Sequence, residues 1–404
     1  MRTSRLRAAS LALVLAGFSL GVAADTSFSQ GNISSALFRK MRSVQAQIRA
    51  GQYGDAANQL SYLQTVTNNA YEAAVVRELT ADLYISRGDY ASALQALQPV
   101  VQQGVLPAGE QREAQLTLGK LLVASGQYQQ GADMLRNSLG QETPSPDVLM
   151  ALAQAYAQSG QCRQAVPEAK RAIDSTVEPP AEWYQLMVSC LYQEHDYAGA
   201  AEQLEALLSH YPDQVQYWSQ LGQAYAQSGD ASKALAVYAL MYRQGLIRQT
   251  QDYLSLASLY LQNNVPYQAA LVLQEGLQSG VVPASEANYT LLASAWQDAG
   301  DLDRAVTALG EAEKQSKSGD ALVSQAQIYT QRHEWFSAID TAKKAIAKGN
   351  LKRPGRAWLL QGIAQVQNRQ YDDGAASLRE AVKYEDVRAQ AEAWLHYLSV
   401  RGSG

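Results

Sequence analysis

The segment AQAYAQSGQ, from Ala153 to Gln161, returns almost unchanged as GQAYAQSGD from Gly222 to Asp230. A chain that repeats itself at a fixed interval builds one small unit many times over, so its period limits the fold more tightly than its length does. Around the second copy, Trp218, Leu221, Gly222, Tyr225, Ala234 and Tyr238 set a pattern of spacings. The pattern recurs in Tyr253, Leu256, Ala257, Tyr260 and Ala269, and in Tyr289, Leu292, Ala293, Trp296 and Ala305. Upstream it recurs in Leu149, Leu152, Ala153, Tyr156 and Ala165, and less regularly in Gln115, Leu118, Gly119, Leu122 and Gly131. With the first residue of each set as a phase mark, units begin near Lys40, Arg77, Gln115, Leu149, Tyr184, Trp218, Tyr253, Tyr289, Leu322 and Trp358, 33 to 38 residues apart.

These residue types at these spacings resemble the tetratricopeptide repeat family. Each unit of that family is a pair of antiparallel helices. The resemblance implies an all-α, right-handed superhelical solenoid of about ten helix pairs, spanning residues 36–386. A last amphipathic segment, Val387 to Val400, has no partner helix and reads as a C-terminal capping helix followed by a tail to residue 404. Gly or Ala at the eighth and twentieth positions lets the paired helices approach closely, and aromatic residues fill the space between units. Gly88, Gly126, Gly160, Gly229 and Gly300 recur at the turn inside a pair, where a left-handed backbone favours glycine. Pro266 fits the first turn of a helix, whereas Pro167 lies deeper in its unit and predicts a late start or a kink.

The amino terminus predicts the compartment. Arg2, Arg5 and Arg7 precede an apolar run from Leu11 to Ala23, with small residues at Ala23 and Ala24. Residues 1–24 therefore read as a cleavable secretory signal, because the run is shorter than the roughly 20 residues a bilayer-spanning helix needs. A polar stretch, residues 25–35, is expected to be disordered. No later apolar run is long enough to span a membrane, so the expected location is periplasmic.

The formal net charge is −5, and removal of the three leader arginines would take it to −8, with no basic stripe. Nucleic acid is an unsuitable partner for such a chain. Motifs for enzymatic chemistry are absent from the sequence: it has no paired-histidine zinc motif, phosphate loop, dinucleotide fingerprint or nucleophile elbow. His195, His210, His333 and His396 are scattered, and His333-Glu334 begins a metalloprotease-like motif without its second histidine. The reading is a non-enzyme with neither cofactor nor metal.

Cys162 and Cys190 are the two cysteines. In the repeat register Cys162 opens the second helix of one unit and Cys190 closes the first helix of the next. Those helix ends are neighbours in a stacked arrangement, and a secreted chain meets an oxidising compartment, so a disulfide is expected. The alternative is a pair of small buried side chains too far apart to bridge.

In tetratricopeptide folds the inner wall is lined by the first helix of each unit, one and five residues beyond the phase mark and around its last turn. Here those places hold Gln154, Gln185, Ser189, Tyr192, Ser219, Gln223, Gln227, Ser258 and Gln297, all uncharged. Family members that clamp an acidic carboxylate place Lys and Arg there, so a clamp is not expected; a hydrogen-bonding wall for a protein partner is. Segments such as Gln216-Tyr217-Trp218 and the end Ala393-Trp394-Leu395-His396-Tyr397-Leu398 resemble periplasmic tetratricopeptide proteins associated with TonB systems. That resemblance implies an accessory role beside TonB, ExbB and ExbD in iron uptake. The rival reading is a scaffold for cell-envelope or exopolysaccharide assembly.

Overall fold

The computed structural model describes residues 33–140 and 143–401, and every regular element among them is an α-helix. The helices fall into two compact units that divide between Ser228 and Gly229. The first contains α1 (Ser35–Arg49), α2 (Tyr53–Thr65), α3 (Ala70–Ser86), α4 (Tyr90–Gln103), α5 (Ala108–Ala124), α6 (Tyr128–Ser138), α7 (Pro146–Gln158), α8 (Cys162–Asp174), α9 (Ala181–Gln193), α10 (Tyr197–His210) and α11 (Val215–Ser228). The second contains α12 (Ala231–Arg243), α13 (Thr250–Gln262), α14 (Pro266–Gln278), α15 (Glu286–Asp298), α16 (Leu302–Lys314), α17 (Asp320–Gln331), α18 (Trp335–Lys348), α19 (Pro354–Gln367), α20 (Tyr371–Val382) and α21 (Arg388–Arg401). In chain order these make the ten expected pairs, odd-numbered helix first, with α21 left over.

Within each unit the stacking follows a simple rule. A second helix packs on its own partner and on the first helix of the next pair, and first helices also meet one another, as α5 meets α7 and α7 meets α9. The core is therefore a string of apolar clusters shared between consecutive pairs, not one central mass. The final cluster is closed by α21: Trp394, Leu395 and Leu398 pack against a group that includes Leu359 and Leu378.

Close approach inside a pair depends on the absence of side-chain bulk. A Cβ on Gly119 would lie 2.7 Å from Leu135 Cγ, and one on Gly131 would lie 2.7 Å from Val123 Cγ2. In the fourth pair Ala153 and Ala165 hold the same places, both fully buried. The turn inside every pair carries one residue at positive φ. In six turns it is glycine, including all five that the sequence singles out, but His195, Asn264, His333 and Arg369 take the left-handed conformation in the others. The next residue's N–H then reaches back to the first helix, as Asp196 does to the Leu191 carbonyl at 2.9 Å, closing the C-terminal turn. Asp89, Asp196 and Asp301 go on to cap the following helix by accepting from the backbone N–H three residues ahead.

Two expectations need correction. Pro266 opens α14 as foreseen, but α8 begins at Cys162 and runs through Pro167 without a late start. Pro167 and Arg163, whose carbonyl loses its helical partner, both face solvent, so water can take that hydrogen bond. Pro99 also lies inside a helix, α4, where it is half-buried. The stretch expected to be disordered as far as residue 35 ends sooner. Ile33 is buried, and the Ser34 N–H donates to Glu72 Oε1 at 3.0 Å, fastening the chain to the start of α3. The readings of residues 1–32 as a signal and a disordered stretch, and of residues 402–404 as a tail, lie outside the described residues.

The steric limit inside a pair is open to measurement. Gly131→Leu should lower unfolding free energy by roughly 1–3 kcal/mol or more through overpacking, read as a fall in denaturation midpoint, whereas an unchanged midpoint would show that the third pair has room to spare.

Candidate functional site

Some first helices touch first helices, as α5 does α7, α7 does α9 and α17 does α19, and the nine wall residues foreseen from the register sit on the first helices unequally. In the first unit Gln223 and Gln227 of α11 are exposed, and Gln185, Ser189 and Tyr192 of α9 are half-buried, as is Ser219. Gln185 Nε2 donates to Gln220 Oε1 at 3.2 Å, and the Tyr192 hydroxyl donates to the Gln220 carbonyl at 3.5 Å, so both side chains tie α9 to α11. The Tyr192 ring also packs edge-on against Tyr197, centroids 5.4 Å apart. Gln154 is the exception: it is only 7% exposed, enclosed by the tightly packed α7, and cannot present its amide to a partner as foreseen. In the second unit Ser258 of α13 is exposed and accepts from Gln262 Nε2 at 3.3 Å, while Gln297 of α15 is half-buried.

The same register rule, carried into the second and third pairs, yields charged residues that the uncharged reading passed over. One and five residues beyond Arg77 stand Glu78 and Asp82 on α3, and five beyond Gln115 stands Lys120 on α5. Glu78 is buried. Burial pushes its carboxyl up from the ordinary 4.5 to about 8, with Asp82 and Glu110 adding like-charge repulsion. Lys120 borders a cavity of about 300 Å³ between α5 and α7, whose lining includes Thr117, Leu116, Ser145 and Val148. At these two register positions the wall of the first unit is acidic on α3, carries one lysine on α5 and is uncharged on α7, α9 and α11.

Cys162 and Cys190 are joined in a disulfide, with Cα atoms 5.0 Å apart and both residues buried. The bridge links the start of α8 to the end of α9, the two helix ends that the register places together. Arg163 Nε pairs with Glu194 Oε2 at 2.7 Å across the same joint. Among the described residues no cluster of three or more His, Cys, Asp and Glu could hold a metal ion, and no helix is long and apolar enough to cross a membrane.

A family model described as Tetratricopeptide repeat matches residues 42–104, 189–245 and 359–400, and a second with the same description matches residues 122–190. Together they cover more than half of the chain. The chain belongs to the tetratricopeptide repeat family. Members of this family generally mediate protein–protein interactions as scaffolds, and their repeat fold is typically non-catalytic. No curated protein matches the chain. Solved tetratricopeptide-type structures resemble it at low identity. One is MamA, 22% identical, covering 44% of this chain and 94% of its own, with a TM-score of 0.36. Another is the C-terminal part of a repeat-containing protein from Cytophaga hutchinsonii, 14% identical, covering 60% of this chain and 98% of its own, with a TM-score of 0.43. A third, from Parabacteroides merdae, is 16% identical, covering 60% and 93%, with a TM-score of 0.36.

Two measurements bear on this tetratricopeptide wall and its joint. Replacing both Cys162 and Cys190 with Ala should cost roughly 3–4 kcal/mol of stability, from the loop-closure entropy of the intervening chain; an unchanged denaturation midpoint would deny the bridge a stabilising role. Glu78 has a folded-state value above its unfolded one, so its contribution is most favourable below pH 4.5 and is lost as pH rises towards 8. Glu78→Gln should therefore flatten the stability profile over that window and raise stability at pH 8 by something on the order of 3 kcal/mol; parallel profiles for the two proteins would refute the assignment.

Proposed function

We propose that this chain is a periplasmic adaptor that holds protein partners along its first-helix walls and serves a TonB-dependent energy-transduction system for iron uptake. The observation that carries the adaptor reading is the layer of exposed and half-buried Gln, Ser and Tyr side chains on α9 and α11. Such groups hydrogen-bond an extended segment or a helix at little desolvation cost, and they form no constellation of nucleophile, base and oxyanion donor. Support for an oxidising compartment comes from the Cys162–Cys190 bridge, since disulfides persist outside the reducing cytosol, and from the arginine-then-apolar leader pattern. The TonB association rests on the sequence resemblance of the Trp218 segment and of the carboxy-terminal Trp394 segment to proteins of those systems.

Affinity capture from cross-linked cell envelopes tests the partner. Recovery of TonB, ExbB or ExbD is the expected result, and recovery of polysaccharide-assembly proteins in their place would establish the rival scaffold reading. Combined Tyr192→Ala, Gln223→Ala and Gln227→Ala should reduce capture at least tenfold while the helical circular dichroism stays unchanged; undiminished capture would move the binding surface off this wall.

A further inference from the structure

We propose that copies of this chain associate head to tail. A basic edge on the second unit of one copy, formed by Lys317, Lys352 and Arg353, docks on an acidic edge on the first unit of the next, formed by Glu178, Glu182 and Asp213. The proposal goes beyond the adaptor reading and does not depend on it.

The chain segregates its charge. From residue 172 to residue 228 there are eight acidic residues and no lysine or arginine, and from 341 to 371 there are seven basic residues and no acidic one. The absence of a basic stripe, read from the chain as a whole, therefore fails over the second stretch. Like charges gathered on one surface repel one another, and an opposite block on a second surface relieves both.

Each block reaches the same kind of edge, where the connections between successive pairs run. In the second unit the connection from α16 to α17 is fastened to the one from α18 to α19. The Gly319 N–H donates to the Gly349 carbonyl at 3.0 Å, the Ser318 hydroxyl to the Asn350 carbonyl at 2.9 Å, and the Lys352 N–H to Asp320 Oδ1 at 3.0 Å. Lys317, Lys352 and Arg353 thus stand on adjoining backbone, all three exposed. Behind them Lys314 pairs with Glu311 at 2.7 Å and Lys348 with Glu313 at 2.6 Å. The next connection, which meets α19 at Gly355 through Tyr384, carries mixed charge in Lys383, Glu385 and Asp386 and bounds the basic edge. In the first unit the Tyr211 hydroxyl donates to the Pro179 carbonyl at 3.2 Å and joins the connection from α10 to α11 to the one from α8 to α9. Asp213 and Glu178 stand on these two connections and Glu182 in the first turn of α9, again all exposed. Nearby Asp174 is already paired with Lys170 at 3.1 Å.

Charge complementarity selects the occupant. The two edges carry opposite charge, three groups against three, and all six side chains are open to solvent, so a second copy is the partner that the chain itself specifies. Because the two patches differ, the contact is heterologous: each copy in a pair keeps one edge free, and association continues into a row or closes into a ring. Individual surface ion pairs contribute little and are screened by salt. Val177, 92% exposed beside Glu178, adds apolar surface for the contact to cover. The contact is therefore weak and strongly salt-dependent.

Sedimentation velocity of the full-length mature protein tests the contact. At low salt the wild type should grow in mass with concentration, and at about 0.5 M salt, where charges act over no more than roughly 5 Å, it should return to monomer. Lys352→Glu combined with Arg353→Glu, and separately Glu178→Lys combined with Glu182→Lys, should each weaken association at least tenfold. An equimolar mixture of the two double variants should restore it, because one is then acidic on both edges and the other basic on both. Restoration by mixing also excludes misfolding as the cause of the losses. A wild type that stays monomeric at every concentration, double variants that associate as the wild type does, or a mixture that stays monomeric would each overturn the proposal. Vesicles containing anionic phospholipid test the other occupant: a monomeric wild type that binds them, with binding lost in Lys352→Glu combined with Arg353→Glu, would assign the basic edge to a lipid surface and overturn the commitment to a second copy.

Discussion

Everything in this molecule depends on how near two helices of a pair can come. At the contact point most pairs carry Gly or Ala, and in the third pair the space a larger side chain would need is already taken by Leu135 or Val123. Because the approach is so close, each helix touches both its partner and the next pair, and the apolar clusters join into a string. The same closeness sets the direction of the chain. A turn too short for ordinary backbone geometry must pass through a left-handed residue, and the structure accepts His195, Asn264, His333 and Arg369 there at some steric cost.

The stack also decides what the wall presents. Several side chains one residue beyond the phase mark, Met41, Glu78 and Met150 among them, are buried, and those five residues beyond are generally more open. Met41 and Met150 fill that position with apolar bulk; Glu78 puts there a carboxyl that burial pushes towards its neutral form. Gln185 and Tyr192 spend part of their hydrogen-bonding capacity on Gln220, so they stiffen the surface to which a partner would dock. A wall pre-organised in this way loses less conformational entropy on binding than one of free side chains.

The disulfide acts at a different level. It adds no new neighbour, because α8 and α9 already pack together; it restricts the unfolded chain and fixes one joint in the first unit. The Arg163–Glu194 pair beside it has its arginine largely in solvent and contributes little by comparison.

The repeat register was fully legible in the sequence. Ten helix pairs, the small residues at their contacts, the glycine turns and the neighbouring ends that carry Cys162 and Cys190 all follow from period and residue type, because each depends on contacts only one pair away. Glu78 was legible too, by the same arithmetic, and was missed when the wall was read as uncharged. Three things were decided by tertiary structure alone. Gln154 is buried, Pro167 is tolerated inside α8, and Glu78 is enclosed so that its carboxyl is pushed up to about 8. Each turns on how much water or protein surrounds a single atom group once three helices have closed around it, and a one-dimensional pattern carries the order of residues but not that enclosure.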